Sequence, residues 1–280
     1  MQKPAYAIKK IDFKKMHGTE TAMAGLGLHT VCHQARCPNI SECYARGTAA
    51  FLILGDICTR NCSFCNVKKG KPLPPEAGEA ESLSEAVQRL KLNYVVITSV
   101  TRDDLPDGGA GAFADAINVI RLENPSVSIE VLVPDFGGDA DAIAAVAGAG
   151  PEVFAHNVET VPTLYNVRKG ADYKRSLGVL SRAKKENSSL ATKSALILGL
   201  GEKEGEILEV FGDLRAAGCD YLSIGQYLSP DREHAPVAEY VTPEKFNWYG
   251  TKAYEAGFSH VESGVWVRSS YMADKYLQKK

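Results

Sequence analysis

The sequence lacks the features that mark nucleic-acid-binding, membrane-spanning or secreted proteins. Its 32 basic and 34 acidic residues give a formal net charge of −2, so it lacks the basic excess of a dedicated nucleic-acid-binding protein. It also lacks long apolar runs, since residues 49–54 fall far short of the roughly 20 residues of a membrane span. Residues 1–15 are basic but contain no apolar core of a secretory signal. We therefore expect a soluble, cytoplasmic, globular protein that binds neither nucleic acid nor membrane.

The cysteines are unevenly placed. Six of the seven cysteines lie between Cys32 and Cys65, and Cys219 stands alone, which favours an ordinary buried role for that residue. In a reducing compartment, crowded cysteines indicate metal or redox sites before disulfides. The six form a first trio, Cys32-x4-Cys37-x5-Cys43, and a second trio, Cys58-x3-Cys62-x2-Cys65.

The rest of the chain alternates between apolar runs and helical periodicity. Strands are predicted at 49–54, 94–100, 127–133, 153–158, 193–198 and 221–228, and helices at 81–92, 112–122, 139–148, 174–186, 203–217 and 243–256. Such alternation predicts an α/β protein with a parallel sheet. Six units are fewer than the eight of a closed barrel, so we predict a partial (β/α)6 TIM-like barrel. A doubly wound sheet is the alternative.

We expect one barrel domain with an addition at each end. Residues 1–48 would form an N-terminal extension that carries the first trio, 49–260 the barrel, and 261–280 a C-terminal segment with an extended stretch at 261–270. In parallel α/β folds, active groups lie at the C-terminal ends of the strands. The second trio follows the first predicted strand directly, which favours a catalytic position for it.

Three thiolates per site limit the choice of metal. Soft thiolates select zinc, copper(I) or iron–sulfur clusters, and structural zinc takes four ligands, usually from paired CxxC motifs. Electron-transfer clusters are held by four cysteines. Three cysteines can instead hold three corners of a cubane and leave one iron open to a small molecule. A zinc-binding structural protein and a thiol redox protein that uses Cys62 and Cys65 are the non-cluster alternatives.

The second trio, with Phe64 before its last cysteine, resembles the signature of radical S-adenosylmethionine (SAM) enzymes. Other segments narrow the resemblance to the lipoyl synthase family. They are the first trio, Arg268-Ser269-Ser270-Tyr271-x-Ala273, and the segments 98–109 (TSVTRDDLPDGG), 156–160 (HNVET), 167–173 (VRKGADY), 198–202 (LGLGE) and 225–228 (GQYL). The matches keep their order from Cys32 to Ala273, and two trios together with the serine-rich tail are highly specific.

The resemblance implies an enzyme that inserts sulfur at C6 and C8 of an octanoyl chain bound to a lysine of a carrier protein. It implies two [4Fe–4S] clusters and SAM: a cluster on the second trio cleaves SAM to a 5′-deoxyadenosyl radical, and a cluster on the first trio gives up its sulfur. Saturated C–H bonds offer no acidic proton to a general base, so the reactivity has to come from a cofactor.

The partners that the resemblance implies are of three kinds. The substrates are octanoylated lipoyl domains, in the acyltransferase subunit of 2-oxoacid dehydrogenases and in the glycine cleavage carrier protein. The electron donor is a flavodoxin or ferredoxin. An iron–sulfur carrier rebuilds the consumed cluster.

The resemblance also assigns roles to single residues. Ser270 is the expected fourth ligand of the first trio's cluster, with Ser269 as its competitor. The expected SAM contacts are Phe64, Thr98, Ser99, Arg102, Asp103, Asn157, Glu159, Gly199, Glu202 and Gln226. Arg168 and Lys169 are candidates for steering an acidic carrier. A sulfur-inserting enzyme that acts on a free small molecule, like biotin synthase, shares the second trio and is the rival enzymatic interpretation.

Overall fold

An eight-stranded sheet forms the centre of the computed structural model, which describes residues 2–46 and 48–277. Its strands are β1 (His29–Thr30), β2 (Ala50–Ile53), β5 (Tyr94–Ser99), β6 (Ser128–Leu132), β7 (Val153–Ala155), β8 (Ala191–Leu198), β9 (Tyr221–Gln226) and β10 (His260–Gly264). Two short strands, β3 (Ile57–Cys58) and β4 (Lys68–Lys69), pair separately.

Helices connect the strands. They are α1 (His17–Met23), α2 (Val31–Gln34), α3 (Ile40–Ala45), α4 (Glu79–Arg89), α5 (Ala110–Glu123), α6 (Ala140–Gly148), α7 (Tyr173–Glu186), α8 (Glu204–Ala216) and α9 (Pro243–Glu255). Short 3-10 helices span Ala5–Ala7, Phe13–Met16, Phe136–Gly138, Pro162–Val167 and Ala273–Leu277. No helix in residues 2–46 and 48–277 is both long and apolar enough to cross a membrane.

The strand order identifies the architecture. From β2 to β10 the sheet strands are parallel and follow chain order, β2-β5-β6-β7-β8-β9-β10. A doubly wound sheet reverses its order at a switch point, and this sheet does not. The predicted partial barrel with six βα units is confirmed, and the doubly wound alternative is wrong.

Local sequence explains where the helices begin. The Asp139 side chain accepts hydrogen bonds from the backbone N–H groups of Asp141 and Ala142 at the start of α6. Asp172 and Thr242 cap α7 and α9 in the same way. Such caps satisfy N–H groups that have no partner inside the helix.

The buried side chains are those that the sequence pattern places on the inner faces of the strands and helices. All four residues of β2 are buried, as expected of a parallel strand covered on both faces. In α4, Leu83, Ala86 and Val87 are buried, a spacing that lies on one helix face. Cys219 is fully buried in the second of two apolar clusters, as the sequence predicted.

Both ends of the chain join the barrel. β1 pairs with β2 in antiparallel orientation. The predicted extended stretch begins as β10, which pairs with β9 and carries the sheet to Gly264, four residues past the expected boundary of the barrel. The following residues, 265–277, are named here the C-terminal strap.

The C-terminal strap packs inside the barrel. A side chain on Gly225 of β9 would place its Cβ 2.0 Å from the Val267 carbonyl oxygen, so the close contact of strap and strand requires glycine. Farther along, the buried Tyr276 hydroxyl lies 2.7 Å from the Ser223 hydroxyl, and its ring centroid lies 4.0 Å from the Lys193 ammonium group. The strap is therefore held at both ends.

Candidate active site

Cys58 ends β3, and Cys62 and Cys65 lie on the loop between β3 and β4, next to the C-terminal ends of the barrel strands. β3 and β4 pair through Ile57 with Lys68 and Cys58 with Lys69, which closes the base of the loop. All three cysteines line a pocket of ≈ 560 Å³, here called the mouth pocket. Chemistry at strand C-termini is the general rule for such folds.

Contacts with distant parts of the chain hold this loop. The Thr59 N–H donates to the Thr101 carbonyl at 3.0 Å, and the Ser63 N–H donates to the Val167 carbonyl at 2.8 Å. The His234 Nε2 atom lies 3.1 Å from the Cys65 carbonyl oxygen. His234 therefore contacts the backbone of the loop.

Arg60 is the strongest anchor of the loop. Its guanidinium donates two hydrogen bonds to Asp103, at 2.8 and 2.7 Å, and one to Asp135 at 2.7 Å. The Asp135 side chain is fully buried and that of Arg60 is 9% exposed. Burial alone would raise the pKa of Asp135, but the hydrogen bond and charge of Arg60 hold it below its usual value. A charge-assisted contact of this kind fixes the conformation of the loop.

Six of the predicted SAM contacts line the mouth pocket together. They are Phe64, Thr98, Ser99, Asn157, Glu159 and Gln226. They come from the cysteine loop and from the ends of β5, β7 and β9, so residues far apart in sequence meet at one edge of the sheet.

Four predicted contacts lie elsewhere. The Arg102 side chain is buried and donates to the Asp104 carboxylate and to the Leu54 carbonyl. Asp103 is engaged by Arg60. Glu202 accepts hydrogen bonds from the N–H groups of Gly199, Leu200 and Gly201, so the turn after β8 is built around its carboxylate.

Gln226 lines the mouth pocket, and Gly199 packs directly against its side chain. A Cβ on Gly199 would lie 2.3 Å from the Gln226 Nε2 atom. That nitrogen donates to the carbonyls of Leu198, Tyr227 and Glu239. Gly199 and Glu202 thus act on the pocket through the backbone they hold in place.

Four buried polar atoms of mouth-pocket residues have no hydrogen-bond partner within the described part of the chain. They are Ser99 Oγ, His156 Nε2, Asn157 Oδ1 and Arg168 Nε. Buried polar groups are normally paired, so these atoms fit a polar ligand. SAM carries amino, carboxylate and hydroxyl groups of matching chemistry.

The electrostatics of the mouth pocket centre on Glu159 and Arg168. Burial raises the pKa of Glu159, opposed by the charge of Arg168 and by the hydrogen bond from Asn157, 3.0 Å long. Burial also lowers the pKa of His156 to about 4, so its imidazole is neutral at neutral pH. The Arg168 guanidinium donates to the Asn157 carbonyl at 2.9 Å and to the Tyr165 hydroxyl at 2.5 Å, so it belongs to the pocket wall, unlike the exposed Lys169.

The first trio lines a separate pocket of ≈ 150 Å³, here called the strap pocket. Cys32 lies in α2 and Cys43 in α3, and the Cys37 N–H donates to the Cys32 carbonyl at 2.9 Å. Ser269 and Ser270 of the C-terminal strap line the same pocket. The three cysteines and both candidate serines, more than 200 residues apart in sequence, are thus brought together.

Burial favours the protonated form of four of the six thiols. It raises the pKa of Cys32 and Cys65 to about 12 and that of Cys43 to about 11, and it also raises the pKa of Cys62. Metal binding at these four positions would therefore be coupled to proton release. Within residues 2–46 and 48–277, no three His, Cys, Asp or Glu side chains converge as ligands of one metal ion. A cubane binds each thiolate through a different iron, so a [4Fe–4S] site does not need that convergence.

Sequence reasoning missed several residues of the site. The Arg60–Asp135 contact joins residues 75 positions apart, and the only local signal was an arginine inside the second trio. His156 belongs to the HNVET segment that carried the resemblance, but no role had been expected for it.

The barrel and the cysteine loop define a radical SAM enzyme, and comparison with known proteins agrees. The family described as "Radical SAM superfamily" matches residues 52–214. Among solved structures, methylornithine synthase (TM-score 0.54, 13% identity, covering 92% of this chain and 79% of that one) and the FeFe-hydrogenase maturase HydG of Carboxydothermus hydrogenoformans (0.57, 15%, 89% and 68%) share the fold.

The relatives by sequence are closer, and each covers at least 89% of the chain. The lipoyl synthase of Citrifermentans bemidjiense is 54% identical over 280 residues, 100% of this chain and 96% of that protein. That of Geobacter metallireducens is 52% identical, covering 99% and 98%, and that of Caldicellulosiruptor saccharolyticus is 56% identical, covering 89% and 88%. The chain belongs to the lipoyl synthase family.

Membership confirms the predicted enzyme class and cofactors. The chain is a sulfur-inserting radical SAM enzyme that uses SAM and [4Fe–4S] clusters. The biotin-synthase-like, zinc-binding and thiol redox alternatives are set aside accordingly.

Proposed function

We propose that Cys58, Cys62 and Cys65 hold the cluster that binds SAM, and that Cys32, Cys37 and Cys43 hold a second cluster. Ser270 is the proposed fourth ligand of the second cluster, and Ser269 is its competitor in the same pocket. When bound, these groups supply a 5′-deoxyadenosyl radical for hydrogen abstraction and the sulfur for C6 and C8 of an octanoyl chain.

The common wall of the two pockets carries this proposal. Arg268 and Ser269 line both the mouth pocket and the strap pocket. Val31 and Ala35, at the two ends of α2, also line both pockets, so the two trios open on adjoining spaces bounded by the C-terminal strap and α2. Sulfur insertion needs this arrangement, because a carbon-centred radical made beside one site has to meet sulfur held at the other.

The chain's own residues have binding and shielding roles in this scheme. Ser99, His156 and Asn157 offer unpaired polar atoms to the amino, carboxylate and hydroxyl groups of SAM. The His156 Nδ1 atom lies 2.8 Å from the Val133 carbonyl oxygen and so carries the N–H of the neutral ring, which leaves Nε2 to accept one hydrogen bond there without adding charge. Apolar lining residues such as Val100, Leu132 and Ile197 suit an alkyl chain and limit the access of water to a radical.

The proposed substrates are octanoylated lipoyl domains, including those of the 2-oxoacid dehydrogenase acyltransferase subunit and the glycine cleavage carrier protein. Lys3, Lys9 and Arg36 line the mouth pocket, and this basic rim would favour an acidic carrier. We further propose a flavodoxin or ferredoxin as reductant, an iron–sulfur carrier that rebuilds the second cluster, and a cytoplasmic location, where thiolate ligands stay reduced.

The test compares Cys58→Ala with Cys37→Ala in anaerobically purified enzyme. We expect two [4Fe–4S] clusters in the parent and one in each variant, by iron and sulfide analysis. Cys58→Ala should abolish 5′-deoxyadenosine formation. Cys37→Ala should retain some SAM cleavage but form no lipoyl product. Cys219→Ala is the matched control, because Cys219 is buried outside both pockets, and it should keep both clusters.

Two results would contradict the proposal. One is a parent enzyme with a single cluster. The other is product formation that persists in Cys37→Ala. Offering free octanoate beside an octanoylated peptide decides the substrate class: only the peptide should be thiolated, and thiolation of free octanoate would favour the biotin-synthase-like alternative.

A further inference from the structure

Three separate parts of the chain meet beside the strap pocket. They are the N-terminal segment at Lys9, the turn and helix α3 that carry Cys37 and Cys43, and the C-terminal strap with Ser269 and Ser270. The roles proposed above assign nothing to the side chains that join these parts.

Glu42 binds two of the three parts at once. One oxygen of its carboxylate, Oε2, accepts a hydrogen bond from the Lys9 ammonium group at 2.8 Å. The other, Oε1, accepts one from the Tyr271 hydroxyl at 2.9 Å. Glu42 precedes Cys43 in sequence and Tyr271 follows Ser270, so one side chain fixes a candidate iron ligand on α3 against one on the strap.

Lys9 and Asn39 extend the connection. The Lys9 ammonium also donates to Asn39 Oδ1 at 2.5 Å. Asn39 Nδ2 donates to the Trp266 carbonyl at 2.6 Å. The same ammonium lies 5.7 Å from the centroid of the Trp266 ring and 5.8 Å from that of Tyr271, within the range of cation–π attraction. Lys9 therefore contacts the strap on both sides of its serine pair.

This network is well placed to position ligands and poorly placed to stabilise the fold. The Lys9 and Glu42 side chains are 22% and 38% exposed, and ion pairs so close to solvent contribute little to overall stability. The loss of one member should leave the barrel folded. It should change how tightly the strap is held over the first trio.

We propose that Lys9, Glu42 and Tyr271 form a latch that holds Ser269 and Ser270 against the first trio. They are positioning residues, and they act through the strap on the serine-bound corner of the second cluster. This inference rests on the proposed ligand roles of the trio and the serine pair. Because Lys9 also lines the mouth pocket, the latch joins the wall of the radical site to the sulfur site.

The first experiment measures the latch without any cluster. Hydrogen exchange of the metal-free full chain is followed in peptides that cover residues 265–277, for Lys9→Met, Glu42→Gln and Tyr271→Phe. Lys10→Met is the matched control, because Lys10 is the exposed neighbour on the same segment. We expect about tenfold faster exchange of the strap in the three latch variants, the scale of one lost charge-assisted hydrogen bond, and no change in the control.

The second experiment follows iron in the loaded enzyme with SAM present, so that SAM occupies the open iron of the other cluster. A ferrous chelator should remove about one iron per chain roughly tenfold faster from the latch variants than from Lys10→Met. In Glu42→Gln and Tyr271→Phe, whose side chains lie outside the mouth-pocket lining, 5′-deoxyadenosine formation should stay near the parent value while lipoyl product falls. A generally destabilised enzyme would instead lose both clusters and both activities.

The outcomes separate the latch from the proposed function. If the parent holds two clusters but strap exchange and iron release in Glu42→Gln match those in Lys10→Met, the latch is wrong and the proposed function stands. If the parent lacks the second cluster, the proposed function fails first. Tyr271→Phe removes one hydroxyl only, so it takes the place of Glu42→Gln in both experiments if Glu42→Gln does not fold. If Glu42→Gln, Tyr271→Phe and the double variant change strap exchange and iron release equally, the two residues act as one coupled unit. Additive changes would overturn the latch.

Discussion

Arg60 of the cysteine loop donates a 2.7 Å hydrogen bond to the buried carboxylate of Asp135, beyond the end of β6. Through this contact the segment between Cys58 and Cys62 is held to the barrel. Arg175, on α7, reaches the same carboxylate at 3.3 Å and is more exposed. Asp135 therefore has one strong and one weak cationic partner.

Replacement of Arg60 should reduce cluster loading at the second trio selectively. We expect Arg60→Gln to lower the free energy of unfolding of the metal-free chain by about 2 kcal/mol, because a buried carboxylate loses a charge-assisted hydrogen bond. Loading of the SAM-binding cluster should fall while the first trio keeps its cluster. Urea unfolding and iron analysis measure the two effects. Arg175→Gln is the control, and equal losses in the two variants would contradict the assigned order.

Replacement of Ser270, the candidate serine ligand, by the softer ligand cysteine should lower the formation of lipoyl product. An alkoxide is a harder donor than a thiolate, so we expect the serine-bound corner to be the one that opens when sulfide leaves. Ser270→Cys should keep the second cluster, or bind it more tightly, and form less lipoyl product with SAM cleavage intact. Undiminished product would argue against this role, and the same pattern in Ser269→Cys alone would assign the ligand to Ser269.

Stability should depend on pH through His156. Burial lowers its pKa from 6.5 to about 4 in the fold, so the unfolded chain binds more protons between those values. The free energy of unfolding should be highest above pH 6.5 and fall as the pH drops towards 4, by up to about 3 kcal/mol for this group. Urea titrations of the metal-free chain at several pH values measure the slope. His156→Gln should show a shallower slope, and an unchanged slope would contradict the assignment.

A methyl group on Gly225 should displace the C-terminal strap. Its Cβ would lie 2.0 Å from the Val267 carbonyl oxygen, whereas a Cβ on Gly264 would have its nearest neighbour at 3.6 Å. We expect Gly225→Ala to cost about 2–3 kcal/mol and to reduce occupancy of the second cluster. Gly264→Ala should cost clearly less. Thermal unfolding and iron content test both variants, and similar stability in the two would show that the strap can move freely.

The barrel was predictable from the sequence because its signals are local. The second predicted strand, 94–100, is observed as Tyr94–Ser99, and the helix predicted at 174–186 is Tyr173–Glu186. The fourth strand ends at Ala155 and not at 158, because burial of Val158 in the core extends the apolar pattern beyond the hydrogen-bonded strand.

The connections between distant segments were not predictable in the same way. Tyr271 and Glu42 are 229 positions apart, and a tyrosine or a glutamate in a polar stretch has no local pattern that names its partner. The cysteine trios could be found because thiolate spacing is itself a chemical signal. The side chains that orient them, Arg60 and Lys9, needed the folded chain.

The pairing of β1 with β2 has a consequence for association between molecules. Without it, β2 would be the outer strand on that side, with apolar Phe51 and Leu52 on an open ladder of backbone donors and acceptors. Exposed ladders of this kind template aggregation. β1 occupies the ladder at those two residues and presents in its place a rim only two residues long, which gives a neighbouring chain little backbone to extend.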